Sequence, residues 1–113
     1  MAHTQPDRVT FDRFDRGRDK VAKAFLQRQP FRSYGAAYST GRMAFSYGDH
    51  YVIAEHRQDG TIGVNEARVS VTTSGHVGAM RRALESAGWY PSDDTYRADS
   101  SNRHLMRVWR KSQ

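Results

Sequence analysis

The chain has 113 residues, enough for one domain with a modest core. Leu, Ile, Val and Phe number only 18 against a formal charge of +6, but six Tyr, two Trp and four Met add apolar surface, so the sequence reads as an ordered, aromatic-rich domain. No run approaches the ~18 apolar residues that span a bilayer, the start lacks the basic and apolar regions of a signal peptide, and the absence of Cys excludes disulfides, iron–sulfur clusters and thiol catalysis. These exclusions predict a cytoplasmic protein.

Residues 1–10 read as a flexible arm and 11–113 as a single α+β domain. From Phe11, the apolar positions Phe14, Val21 and Phe25 follow at helical spacing, with Thr10 as a candidate N-cap and Gly17 as an interruption. The firmer helix covers about 18–28 and stops before Pro30. From Phe31 to Thr72 the period changes to two. Met43, Phe45 and Tyr47 form one alternating set, Tyr51, Ile53 and Glu55 a second, and Ala67, Val69 and Val71 a third. Turn signals separate them at Ser39–Gly41, Gly48-Asp49 and Asp59-Gly60, the last reading as a two-residue hairpin turn. Short connections imply antiparallel pairing, giving a β-meander of about four to five strands.

A helix at about 74–87 follows, with the stripe Val77, Met80, Leu84 and Ala87 facing the sheet and Gly88 closing it. Pro91–Asn102 is polar and reads as a surface loop or mobile tip. A last strand over about 103–110 puts Leu105, Arg107 and Trp109 on one face and Met106 and Val108 on the other. Both helices are expected on one face of the sheet.

Charge is unevenly distributed: +4 over residues 1–40, −1 over 41–73 and +3 over 74–113, with fifteen Arg against three Lys. Arginine forks phosphates and stacks on bases, so two basic ends on one face would suit nucleic acid, whereas on opposite faces they only aid solubility. Val71-Thr72-Thr73-Ser74-Gly75-His76 places hydroxyls and a glycine at a helix start. Thr73, Ser74, Gly75 and His76 are therefore candidates for an anion site, with Arg81 and Arg82 as neighbours; the plainer alternative is that Thr73 or Ser74 only caps the helix. The last strand interleaves Arg107, Arg110 and Lys111 with Trp109, a pattern that serves single-strand binding or simply core packing. Arg32, Tyr34 and Tyr47 are candidates for an interaction surface.

The five His at 3, 50, 56, 76 and 104 show no acidic partner at ligand spacing, although His50 and His56 share a side if their strand is regular. His76 lies near Ser70, Thr73 and Ser74, but a triad is a matter of geometry. No catalytic residue, metal or cofactor is expected.

The segment Phe45-Ser46-Tyr47-Gly48, Tyr51-Val52-Ile53-Ala54 and Ser70-Val71-Thr72-Thr73-Ser74-Gly75-His76 resembles a small uncharacterised domain family of tailed phages and prophages. In that family, Lys more often stands where this chain has Gly75. The resemblance covers about 31–80 and implies an antiparallel sheet with a helix and a bacterial host cytoplasm, without naming an activity. A non-enzymatic accessory protein that binds nucleic acid or a nucleoprotein follows as the expectation. The alternatives are an inhibitor or adaptor docking on a host protein, and a homodimer formed through a sheet edge.

Overall fold

The computed structural model describes residues 16–32, 37–46, 51–66, 71–99 and 103–112, with the backbone alone at 71–73. The expected arm, Phe11, Phe14, Tyr34, Tyr47 and His50 lie outside the described residues. Helix α1 (Gly17–Leu26) leads into strands β1 (Pro30–Arg32), β2 (Ala37–Thr40), β3 (Met43–Ser46), β4 (Tyr51–His56) and β5 (Ile62–Asn65). Helix α2 (Val71–Ser86) and the strands β6 (Trp89–Arg97) and β7 (Leu105–Lys111) complete the chain. The seven strands form one antiparallel sheet in the order β1-β2-β3-β4-β5-β7-β6. The α+β class is as expected, but the meander holds five strands and a C-terminal hairpin adds two more. No described helix is long and apolar enough to cross a membrane.

Both helices cover one face, where Val21, Phe25, Val77, Met80 and Leu84 meet Ile53, Ile62, Val64 and Trp109 in a single buried cluster. The sheet answers the bulky helix side chains with small ones: Ala37, Ala44 and Ala54 are fully or almost fully buried. The expected stripe on α2 is present except at Ala87, which is exposed beside Gly88 (φ +90°). At the end of α1, Arg28 takes a left-handed conformation (φ 56°) and turns the chain into β1.

Four expectations are corrected. Of the strand expected over 67–72, residues 67–70 lie outside the described residues and Val71 and Thr72 are helical, while an unexpected strand runs over Ile62–Asn65. All four of its residues are buried, so both faces are covered and no polar alternation marks it. The polar stretch from Pro91 is part of β6 as far as Arg97, an edge strand whose exposed residues hide its period. Its ladder shifts between Pro91 and Thr95, where Ser92 Oγ donates to the Val108 carbonyl at 2.7 Å. Proline, the bulge and the carboxylates of Asp93 and Asp94 blunt this edge against strand addition.

Third, β4 is not regular. Ala44 pairs with Ala54 and Phe45 with Val52, leaving Ile53 as an extra residue. Ile53 and Ala54 both reach the helix side, while Val52 joins the other face with Met106 and Ala98. The parity argument relating His50 to His56 fails at this bulge. The turn at Asp59-Gly60 is also wider than expected, running from Arg57 to Thr61, with Gly60 at φ +87° and the Thr61 N–H donating to Asp59 Oδ1 at 2.9 Å.

On the open face the Tyr96 ring lies over Gly63 and its hydroxyl donates to Glu55 Oε2 at 2.6 Å, under the Arg57 guanidinium at 4.3 Å. Burial pushes that hydroxyl's pKa above its ordinary value, and the Glu55 hydrogen bond adds to the effect. A Cβ on Gly63 would stand 1.8 Å from the Tyr96 hydroxyl oxygen, so the glycine is required by the ring. We expect Gly63→Ala to cost about 1–3 kcal/mol in urea denaturation, and the cost to fall below about 0.5 kcal/mol when Tyr96→Ala has already removed the ring.

Candidate functional site

Because α2 begins at Val71, Gly75 and His76 stand beyond its first turn, where backbone N–H groups are already committed within the helix. Thr73 and Ser74 lie within α2 and not at the position of a cap ahead of it. Ser74 is exposed, and Gly75 makes room for α1: a Cβ there would lie 2.7 Å from Arg18 Nη1. His76 Nδ1 and Ser46 Oγ share a hydrogen bond of 2.8 Å that ties α2 to β3. Ser46 is 0% exposed, so its hydroxyl is an anchor in the core and meets no substrate.

Most of the arginines expected to form a patch are tied to carboxylates. Arg81 and Arg107 clamp Glu66 from α2 and β7 at 2.6 and 2.9 Å. Arg107 also donates to the Ser92 carbonyl at 2.9 Å, which fixes it in the β6 bulge. Arg110 pairs with Asp94 at 2.9 Å, and Arg82 sits 3.9 Å from Asp19. Three positions apart on one strand, Arg107 and Arg110 point to opposite faces of the sheet. Arg32 is on the open face, 4.4 Å above the Tyr38 ring, with Phe45 stacked on Tyr38 at 5.2 Å. Among the described residues, Arg32 and Arg110 therefore lie on the face opposite Arg81 and Arg107.

Two of the expected residues do come together. Arg82 from α2 and Lys111 from β7 line a groove of about 590 Å³ between the helices, joined by Lys23 of α1 and Trp89 of β6. The register of β6 against β7 sets Trp89 opposite Lys111, whose ammonium lies 5.8 Å from the indole centroid. Leu26 and Ala83 form the apolar wall and pack with Trp89 against the core. Three cations here face one carboxylate, Asp19. A second cleft of about 440 Å³ on the open face holds Arg42, Arg57 and Arg97 against Glu55, Asp59 and Asp99, an even balance. Only the first has the charge to attract an anion.

Lys23 and Trp89 were missed as site residues. The available signal was Trp89 directly after the closing Gly88, but its partner could not be found while 91–102 read as a loop. Among the described residues no group of three or more His, Asp or Glu is placed to hold a metal.

Two histidines make stability pH-dependent. Burial holds both His56 and His76 below their ordinary value of 6.5; Arg28 adds to the effect at His56 and Arg18 at His76, while the bond to the Phe25 carbonyl opposes it at His56. The unfolded chain takes up these protons first, so their contribution is intact above about pH 6.5 and is lost as pH falls towards the lowered values. Asp59, also lowered, acts below about pH 4 and does not confuse the window. Urea midpoints should fall between about pH 7.5 and about pH 5, and His76→Gln should flatten the slope. Compared with known protein families, curated proteins and solved structures, the chain shows no match.

Proposed function

We propose that this chain is a small non-enzymatic accessory protein, of the phage or prophage kind its motifs resemble, that binds nucleic acid through the groove between α1 and α2. The observation that carries this reading is the grouping of Lys23, Arg82 and Lys111 around the Trp89 ring in one concavity. Phosphate and base need these two chemistries side by side: a cation for the backbone and an aromatic face for the base.

The opposing term is the helix dipole. Arg18 lies against Gly75, Asp19 meets Arg82, and Leu26 shares the groove with Ser86, so α1 and α2 run parallel and both end at the groove. Each C-terminus carries roughly half a negative charge, which together offset about one cation. Three cations line the groove against the single carboxylate of Asp19, a lining that favours an anionic ligand.

Anisotropy titrations of labelled oligonucleotides over a salt series test the reading. Three phosphate contacts predict a slope of log K on log salt of about −2 to −3. Lys23→Gln or Lys111→Gln should reduce its magnitude by about 1, and Arg110→Gln, on the opposite face, should leave it unchanged. Absence of binding even at ~50 mM salt defeats the proposal.

A second reading, docking on a host protein, draws on Tyr90, the one large hydrophobic side chain among the described residues that is strongly exposed, at 46%. Tyr and Arg are enriched at interface hot spots. A stoichiometric protein partner captured from nuclease-treated host lysate, with no oligonucleotide binding, would favour it.

A further inference from the structure

We infer that the groove takes single-stranded nucleic acid, with one unpaired base laid on Trp89 and the flanking phosphates on Lys23, Arg82 and Lys111. The inference rests on the nucleic-acid reading above and adds the state of the strand and the manner of binding.

Charge is the first argument. Proteins that grip a duplex electrostatically neutralise about 6–10 phosphates. Among the described residues, the arginines of α2 and β7 next to the groove are engaged elsewhere: Arg81 and Arg107 hold Glu66, and Arg110 holds Asp94 on the other face. The three cations lining the groove beside Asp19, near two helix C-termini, fall short of that number. They suffice for the one or two phosphates that flank a single base.

Shape is the second. A concavity of about 590 Å³ is of the size that encloses a small molecule. A duplex buries its base faces by stacking and pairing, so only an unpaired base can enter and present a face to the indole. Trp89 is fixed for that purpose by packing on the core beside Leu26 and Ala83. Lys111 lies 5.8 Å from the ring centroid, and an exposed cation–π contact is weaker than base–aromatic stacking. A base therefore displaces the ammonium, which swings to the adjacent phosphate.

The two tryptophans make the inference measurable. Trp109 is 2% exposed, so iodide quenching of the intact protein reports Trp89. The probes are an oligothymidylate of about a dozen nucleotides and a hairpin duplex of similar charge. We expect the single strand to bind at least about tenfold more tightly, to quench the indole emission and to protect it from iodide. Trp89→Leu should weaken single-strand binding by about fivefold or more and leave duplex binding unchanged. Equal or tighter duplex binding, or unchanged emission at saturating oligothymidylate, overturns this inference and leaves the nucleic-acid reading standing. Failure of both probes to bind at ~50 mM salt removes both. The wild-type quenching measurement decides the matter even if Trp89→Leu does not fold.

Discussion

The close seating of two parallel helices on an alanine-lined sheet is the constraint on which the rest of this molecule depends. With few aliphatic residues, the chain fills the space beneath α1 and α2 by giving the bulk to the helices, as Phe25, Met80 and Leu84, and keeping Ala37, Ala44 and Ala54 on the strands. The bulge at Ile53 serves the same end, because it turns two consecutive residues of β4 towards the helices where a regular strand would supply one. Truncating one large core side chain costs about 2–5 kcal/mol, against a total stability of about 5–15 kcal/mol for a domain. A core this thin has no redundancy.

Buried polar groups supply the specificity that so small an apolar core cannot. His56 Nε2–H donates to the Phe25 carbonyl at 2.7 Å and the ring stacks on the Phe25 ring at 4.2 Å, tying β4 to α1. The Asn65 amide donates to the Val52 carbonyl at 2.7 Å, tying β5 to β4. Ser39 Oγ donates to the Gln29 carbonyl at 3.0 Å and accepts from the Gly41 N–H, also at 3.0 Å, which closes the turn between β2 and β3 against the end of α1. Each tie joins two elements, and breaking one leaves a buried partner unsatisfied, at about 1–3 kcal/mol. These groups thus penalise slips of register that a core of alanines would tolerate.

What was legible in the sequence follows from periodicity. Val77, Met80 and Leu84 on α2, Gly88 as its stop, and the alternation on β7 all express a surface with one dry side, which leaves a repeating mark. The missed features have no such mark. Strand β5 is dry on both sides and β6 is wet along most of its length, so neither alternates. The β4 bulge is invisible because an extra residue changes the parity without changing the composition. Among the described residues, every arginine–carboxylate pair except Arg57–Asp59 joins residues far apart in sequence, so which arginines are engaged could not be read before the fold was known.

That last point governs the site as well. A charge of +6 concentrated at the chain ends suggests a broad basic face, but the sheet divides it: Arg107 and Arg81 turn to the helix side, Arg110 and Arg32 to the open side. Five arginines are engaged in ion pairs that, where exposed, contribute only about 0–1 kcal/mol each to stability. Their larger effect is to fix where guanidinium groups point and so to remove them from any common surface. The candidate site is local: three cations and an indole, drawn from α1, α2, β6 and β7, line one groove where the two helices end. No segment of the sequence contains that combination, which is why Arg82 and Lys111 could be suspected singly while the groove that joins them to Lys23 and Trp89 appears only once the strands are in register.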